Sequence, residues 1–283
     1  MAQTSRLDMT ESPPNHIRPF MGSVSHHLIT LSRDMSRRSM VMACALLASG
    51  TLAATEDRAD PVLIEWSTAS AGSSVEHVRL RIFASGIVQA WPAGHGERMV
   101  EQRTPEEAKE LSDSIVRLVR EQELSTESIV RELREQSKQT GLSFQISEAA
   151  DTLITVTTGQ GRQSIRCAAV SLLAERFPEA RRLQEFATIE RRLGNLNCVV
   201  QCGGRDGARR LCVQANDRLL SEHPKAAVWT IDDLTMVRMA PSGGRFVQFR
   251  RHDSPTECWT TCITETPGFA PRVSVIPPAS QAR

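Results

Sequence analysis

The sequence is poor in aromatic residues and in lysine. Its 283 residues include no tyrosine, only 12 phenylalanines and tryptophans together, and 3 lysines beside 31 arginines. Few aromatic rings leave little material for a carbohydrate-stacking platform. The formal net charge of +1 removes the usual electrostatic reason to expect nucleic acid or an anionic membrane as a partner. A content of 40% hydrophobic and 24% charged residues excludes a wholly disordered, collagen-like or polytopic membrane protein.

Long hydrophobic runs are also missing, apart from one short run near the N-terminus. That run with its small-residue tail covers the 15 residues 40–54, fewer than the roughly 20 that a membrane-spanning helix needs. Arg37 and Arg38 precede it, and this order is typical of a secretory signal peptide. We therefore expect an exported protein, periplasmic or extracellular, without a permanent membrane anchor. Cleavage is expected near Ala53 to Thr55.

The residues before this run are polar and show no period that would bury a core. Because a signal peptide begins near the N-terminus, we expect residues 35–54 to be the signal, translation to start at Met35, and residues 1–34 to be a disordered, over-extended start. The general secretory route is favoured over twin-arginine export, because Ser39-Met40-Val41 completes a twin-arginine motif poorly. Cys44 lies too early in the apolar run to suggest a lipoprotein.

The remaining chain alternates between strand and helix patterns. Period-two alternation predicts hairpins within residues 78–91, 153–167 and 236–249. Thr104-Pro105-Glu106-Glu107 is a capping box with proline at the first helical position, which predicts a helix start. A second amphipathic stretch, from Leu124, is predicted to end at Gly141, and a further helix is predicted from Pro178 up to Gly194. A strand is predicted at residues 227–231. The predicted fold class is α+β, with antiparallel sheets built from hairpins, amphipathic helices packed on one face, and a disulfide-stapled C-terminal unit.

The residue composition changes after Leu196, and this change predicts two units. The first is an α+β domain at residues 55–196. The second is a smaller, cysteine-containing α+β unit at residues 197–283, which ends in a loose, proline-rich tail.

Six cysteines follow the predicted signal, and an exported protein meets an oxidising compartment that favours disulfides. Two pairs share a four-residue spacing that places both members on one face, and they can be bridged, for instance, as Cys198 to Cys262 and Cys202 to Cys258. Cys167 and Cys212 remain as a bridge between the units or as buried thiols. Four thiolates could instead hold zinc, but structural zinc pairs are usually rigid knuckles. We predict no metal and no cofactor.

Candidate catalytic residues are weak. His95 stands between two glycines, and His252-Asp253-Ser254 has the residue types of a catalytic triad without the geometry that a fold must supply. No nucleophile-elbow motif accompanies them. These residues are the best candidates for the alternative function, a secreted hydrolase of unknown substrate.

Charge is distributed unevenly along the chain. Residues 162–218 contain 11 arginines against 6 acids, whereas residues 101–135 contain 10 acids against 6 bases. Two solvated helix faces would account for this pattern. The functional interpretation is a patch that docks an acidic partner, formed by Arg181, Arg182, Arg191, Arg192, Arg209 and Arg210.

A glycine-rich turn precedes the last two of these arginines. Residues 203–207 could bind an anion at a helix N-terminus, but they lack the ending of a phosphate loop. We predict a structural turn there.

Together these observations predict an exported, non-catalytic protein-binding or envelope-associated module, of which an inhibitor is one version. Its partner would be another extracytoplasmic protein and not nucleic acid. The sequence leaves the oligomeric state open.

The export prediction is tested by the intact mass of the protein secreted by an expressing cell. We expect a chain that begins at Ala54 or Thr55, because signal peptidase cleaves after small residues. A mass that retains Met1 would contradict both the signal peptide and the start at Met35.

Overall fold

The computed structural model describes residues 60–71, 73–92, 97–240, 242–254 and 257–279. The predicted over-extended start, the signal peptide with its cleavage site, and His95 lie outside these residues.

The described residues form two antiparallel sheets and five α-helices, which confirms the α+β fold class. In chain order the elements are β1 (Val62–Ala69), β2 (Glu76–Phe83), β3 (Ile87–Ala90), β4 (Met99–Gln102), α1 (Pro105–Glu121), α2 (Thr126–Thr140), β5 (Asp151–Thr158), β6 (Gly161–Ala168), α3 (Val170–Arg176), α4 (Arg181–Gln201), α5 (Gly204–Glu222), a short 3₁₀ helix (Ile231–Asp233), β7 (Leu234–Met239), β8 (Arg245–Ser254), β9 (Glu257–Glu265) and β10 (Arg272–Ile276).

The first sheet has six strands in the order β4-β3-β2-β1-β5-β6. Alternation puts Ile64, Leu80 and Ile154 on one face, where they are fully buried. Helices α1, α2 and α4 cover this face and complete the larger hydrophobic core. The opposite face is polar, and there Arg81 Nε donates to Glu65 Oε2 at 2.6 Å.

The second sheet has four strands in the order β10-β9-β8-β7. Its inner face carries Val247, Phe249, Trp259 and Ile263, which pack with α5 and the end of α4 in a second hydrophobic core. A buried hydrogen bond of 2.9 Å runs from Trp229 Nε1 to Thr261 Oγ1. This core therefore contains satisfied polar groups as well as apolar side chains.

Helix α4 belongs to both cores. Its residues from Leu183 to Leu196 pack in the first core, whereas Cys198, Val199 and Cys202 pack in the second. The predicted end of this helix at Gly194 is wrong, because the helix continues to Gln201. The helix also continues through the domain boundary predicted at residues 196–197, and the described residues on both sides of that boundary belong to one compact unit.

The helix caps read from the sequence are confirmed at two positions. Thr104 and Glu107 form the predicted capping box of α1, and Gly141 ends α2 in the left-handed conformation with φ of 72°. The strand expected at residues 227–231 is wrong, since these residues are irregular and lead into the 3₁₀ helix. Strands β4 and β9 and helix α3 were not predicted, and β10 lies in the tail that was expected to be loose.

None of the described helices is long and apolar enough to cross a membrane.

The corner between α4 and α5 depends on close approach at Gly207. A Cβ atom at this position would lie 2.0 Å from the carbonyl oxygen of Cys202, much closer than two non-bonded atoms can approach. Glycine therefore lets the first turns of α5 pack directly against the end of α4.

We predict that Gly207→Ala lowers the free energy of unfolding by about 1–3 kcal/mol, since the new methyl group forces a backbone shift. The measurement is chemical denaturation. Gly194→Ala is the matched control, because it is also a helical glycine and its Cβ would lie 3.8 Å from Trp66, an ordinary contact. That control should leave stability unchanged or raise it by up to about 1 kcal/mol. Equal effects of the two substitutions would contradict the close-approach argument.

Candidate functional site

A cavity lined by arginines lies among α1, α4, α5 and the 3₁₀ helix. Its volume is about 520 Å³, within the roughly 300–1,000 Å³ typical of ligand pockets. The lining residues are of three kinds: basic, other polar and apolar. They are Arg103, Arg191, Arg192, Arg205 and Arg209, then Asn195 and Asp232, and then Leu111, Leu196, Val199 and Ile231.

Helical spacing explains why α4 contributes so much of this lining. Arg192, Leu196 and Val199 follow one another at steps of four and three residues, which places them on one face of a helix. Arg205 and Arg209 repeat the four-residue step on α5. The α4–α5 corner thus brings two arginine-bearing helix faces to one cavity.

Arg103 reaches the cavity from the loop before α1. Its backbone N–H donates to the carbonyl oxygen of Gly86 at 2.9 Å. Gly86 has φ of 88°, and a Cβ there would lie 2.2 Å from the carbonyl oxygen of Arg103. Glycine at this turn therefore sets the path of the loop that carries Arg103.

Three of the five arginines are already paired with acids. Arg205 Nη1 lies 2.6 Å from Glu107 Oε1, Arg103 Nη2 lies 3.5 Å from Glu101 Oε1, and Arg209 Nη1 lies 3.2 Å from Asp206 Oδ1. The Arg205 guanidinium, by donating to Glu107, lowers the pKa of that carboxyl. The pairs of Arg103 and Arg205 help to position these two guanidinium groups at the cavity, whereas the pair of Arg209 is exposed to solvent.

The other two arginines of the cavity form no ion pair with the described residues, although burial raises the pKa of the neighbouring Glu190 and the charge of Arg191 acts to lower it. Arg191 and Arg192 are both exposed, and no carboxylate oxygen of the described chain lies within 4.0 Å of either guanidinium group. Arg103 adds a buried Nε that has no hydrogen-bond partner in the same part of the chain. The cavity therefore offers unpaired donors together with positive charge, which is the chemistry that binds carboxylates.

The structure divides the predicted arginine patch. Arg191, Arg192 and Arg209 line the cavity, whereas Arg181, Arg182 and Arg210 do not.

Arg182 instead has a structural role at the start of α4. Its backbone N–H donates to Glu132 Oε2 at 2.9 Å and its Nε donates to the carbonyl oxygen of Gln122 at 3.2 Å. These bonds tie the start of α4 to α1 and α2.

Two cavity arginines were missed by sequence reasoning. Arg205 lies in the glycine-rich turn whose anion-binding interpretation was set aside, and that turn proves to be the first turn of α5. Arg103 stands immediately before the capping box of α1, where no local pattern marks it as part of a site. Only the packing of the elements brings both side chains to the cavity.

The six cysteines outside the signal are present as free thiols. Cys198, Cys202 and Cys212 lie in the second core, on the side of the sheet covered by helices. Cys258 and Cys262 alternate along β9 with the buried Trp259 and Ile263, and so lie on the opposite face. This placement does not support bridges from Cys198 to Cys262 and from Cys202 to Cys258, because the sheet lies between the partners.

Burial also determines the acidity of these thiols. Desolvation raises the pKa of Cys167, Cys198 and Cys202 to about 12 and that of Cys212 to about 11, and it raises the pKa of Cys262 as well. Buried neutral thiols are poor nucleophiles and poor metal ligands. No group of three or more ligand side chains within the described ranges is placed to hold a metal ion.

The predicted catalytic residues His252 and Asp253 are neighbours on β8 and do not form a triad. His252 is paired across the strands with Cys258 on the open face of the sheet. Asp253 lines a second cavity together with His223 and Trp259, and its Oδ1 lies 3.0 Å from Arg251 Nε.

Comparison with known proteins finds no matching family model, no matching curated protein and no matching solved structure. The site is therefore interpreted from its own chemistry.

We predict that iodoacetamide at about pH 8 labels Cys258 but not Cys167, Cys198 or Cys202 in the folded, reduced protein. The reason is that the thiolate is the reacting species and the pKa of each of these three thiols is about 12. Peptide mapping by mass spectrometry identifies the labelled residues. Unfolding is the control and should expose all three.

The same pKa shifts predict how stability depends on pH. A neutral buried thiol contributes stability that is fully present below the ordinary pKa of 9.0 and is lost as the pH rises toward about 12.

Rapid labelling of the three buried thiols at about pH 8 would contradict their burial.

Proposed function

We propose that this protein is an exported, non-catalytic binding module that docks an acidic segment of another extracytoplasmic protein in the arginine-lined cavity. The observation that carries the proposal is the pair of unpaired guanidinium groups at Arg191 and Arg192, beside an apolar floor. Inhibition of an enzyme partner is one form that such docking would take.

The charge of the cavity favours carboxylates. Five arginines line it against one acid, Asp232, and a guanidinium group matches a carboxylate with two parallel hydrogen bonds. Arginine is also among the residues that most often dominate the energy of protein interfaces. An acidic protein segment is therefore a suitable occupant.

The surroundings of the cavity argue against a nucleic acid as the partner. Glu101, Glu107 and Asp206 are ion-paired with three of the arginines. A phosphate backbone is a continuous line of negative charge, and it would meet these carboxylates as well as the arginines. Two isolated carboxylates of a protein segment can avoid them.

Export belongs to the same proposal. The apolar run after Arg37 and Arg38 supports a cleaved signal, and a mature chain from residue 55 would carry 29 basic and 30 acidic side chains. With overall charge so nearly balanced, attraction to an acidic partner depends on the local arginine cluster.

Oxidation after export would allow one stapling bond near the site. Cys202 at the end of α4 and Cys212 of α5 are both buried in the second core, and these two helices contact each other. We infer that a bond between Cys202 and Cys212 would join the end of α4 to α5 beside the cavity. When protein from the exported fraction is unfolded, iodoacetamide should then label neither of these two cysteines until a reductant is added.

The alternative function, a secreted hydrolase, would use the second cavity. His223 and Asp253 both line it, as a base and its orienting acid would. However, Asp253 is paired with Arg251, and the ring of His223 packs edge-on against Trp259 with centroids 5.0 Å apart. These contacts give both side chains structural roles, and we therefore prefer the binding function.

The binding proposal predicts that the protein binds poly-L-glutamate and that the paired substitution Arg191→Gln with Arg192→Gln weakens this binding about tenfold, or about 1.4 kcal/mol. Isothermal titration calorimetry at low and at physiological ionic strength measures the effect, and the higher salt should weaken binding further.

The matched control is Arg181→Gln with Arg210→Gln, which removes the same charge from helices α4 and α5 outside the cavity. It should change the affinity less than about twofold, within the range of a screened surface charge. An equal loss in both double variants would show that net charge alone attracts the polymer, and this would contradict a role for the cavity.

A further inference from the structure

The floor of the arginine-lined cavity is apolar. Leu196 and Val199 of α4 are 6% and 3% exposed, and Leu111 of α1 and Ile231 of the 3₁₀ helix are half-buried beside them. The positive charge lies around this floor, since Arg191, Arg192, Arg205 and Arg209 are all exposed. A ligand that only carries charge would leave the floor uncovered.

Both N–H groups of the one side-chain amide in the lining are used within the protein. Asn195 Nδ2 donates to the carbonyl oxygens of Ile231 and Leu234, at 2.8 and 3.0 Å. Asn195 therefore anchors the 3₁₀ helix to α4 and has no N–H left for a ligand. With four apolar side chains and no free amide N–H, the floor favours an apolar group over a carboxylate.

The carboxylates of a ligand have defined places at the two ends of the floor. Arg191 and Arg192 lie at one end of the lined face of α4, and Arg205 and Arg209 lie beyond Val199 on α5. Asp232 is the one acid in the lining and would repel a carboxylate placed near the floor itself. Negative groups are therefore favoured at the ends and an apolar group between them.

The α4 wall of the cavity is about as long as a short extended peptide. Eight residue steps from Arg191 to Val199 correspond to about 12 Å along a helix. An extended chain advances about 3.3 Å per residue, so about four residue steps cover this length. An acidic residue at each end then leaves the middle residue over the floor.

We propose that the cavity binds an extended acidic segment of a partner protein, in which one apolar side chain lies midway between two carboxylates about four residues apart. This inference rests on the proposed function and specifies the sequence class that the site selects.

The test is an NMR titration of the full mature chain with three capped pentapeptides. The first has the sequence Glu-Ala-Leu-Ala-Glu, the second replaces the leucine by serine, and the third replaces both glutamates by glutamine. We expect the first peptide to bind at least about tenfold more tightly than either of the others.

Two leucine variants of α1 locate the apolar contact. Leu111→Ala removes part of the floor without changing charge and should reduce the preference for the leucine peptide by about threefold or more. Leu118→Ala is the matched control, because Leu118 is also half-buried on α1 but does not line the cavity. It should leave the preference unchanged.

The outcomes separate this inference from the proposed function. Equal binding of the leucine and serine peptides, with both weakened in the Arg191→Gln, Arg192→Gln variant, would overturn the apolar anchor and leave an acid-binding site. No binding of any peptide, or binding unaffected by that variant, would overturn the proposed function as well. Displacement of the leucine peptide by octanoate at lower concentration would overturn the peptide as occupant and indicate a small amphiphilic acid.

Discussion

The structure depends on the burial of helix α4 along almost its whole length. Its first two-thirds close the core of the six-stranded sheet, and its last turn closes the core of the four-stranded sheet. A helix buried in two cores cannot shift in one without disturbing the other, because protein interiors are close-packed. The two sheets are therefore parts of one unit, and the position of α4 determines where α5 begins.

The arginine-lined cavity is a consequence of this arrangement. An α-helix packed against two sheets still presents a strip between them, and on α4 this strip carries Arg192, Asn195 and Leu196. Gly207 lets α5 turn back closely enough to bring Arg205 and Arg209 to the same strip. An ion pair with Glu107 then helps to position Arg205. Rigid elements thus preorganise the charge, which lowers the entropic cost of binding an acidic segment.

The cysteines show how fold and chemistry interact in this protein. Spacing placed Cys198 with Cys202, and Cys258 with Cys262, on common faces, and the structure keeps each pair on one face. The two faces are separated by a sheet, however, because β9 alternates its side chains between the core and the open surface. Cys202 and Cys212, by contrast, lie in the same core, at the end of α4 and on α5, and the contact between these two helices depends on the tertiary fold.

Local signals in the sequence determined the hairpins, the capping box at Thr104 and Glu107, the end of α2 at Gly141, and an arginine-rich segment. Each depends on side-chain period, backbone conformation or composition over a few residues. Tertiary structure alone decided that α4 passes Gly194, because burial of Leu196, Val199 and Val200 outweighs the weak helix preference of one glycine. It also decided which arginines share a cavity. Arg103 and Arg205 are about one hundred residues apart, and their meeting depends on packing between elements that no short-range pattern encodes.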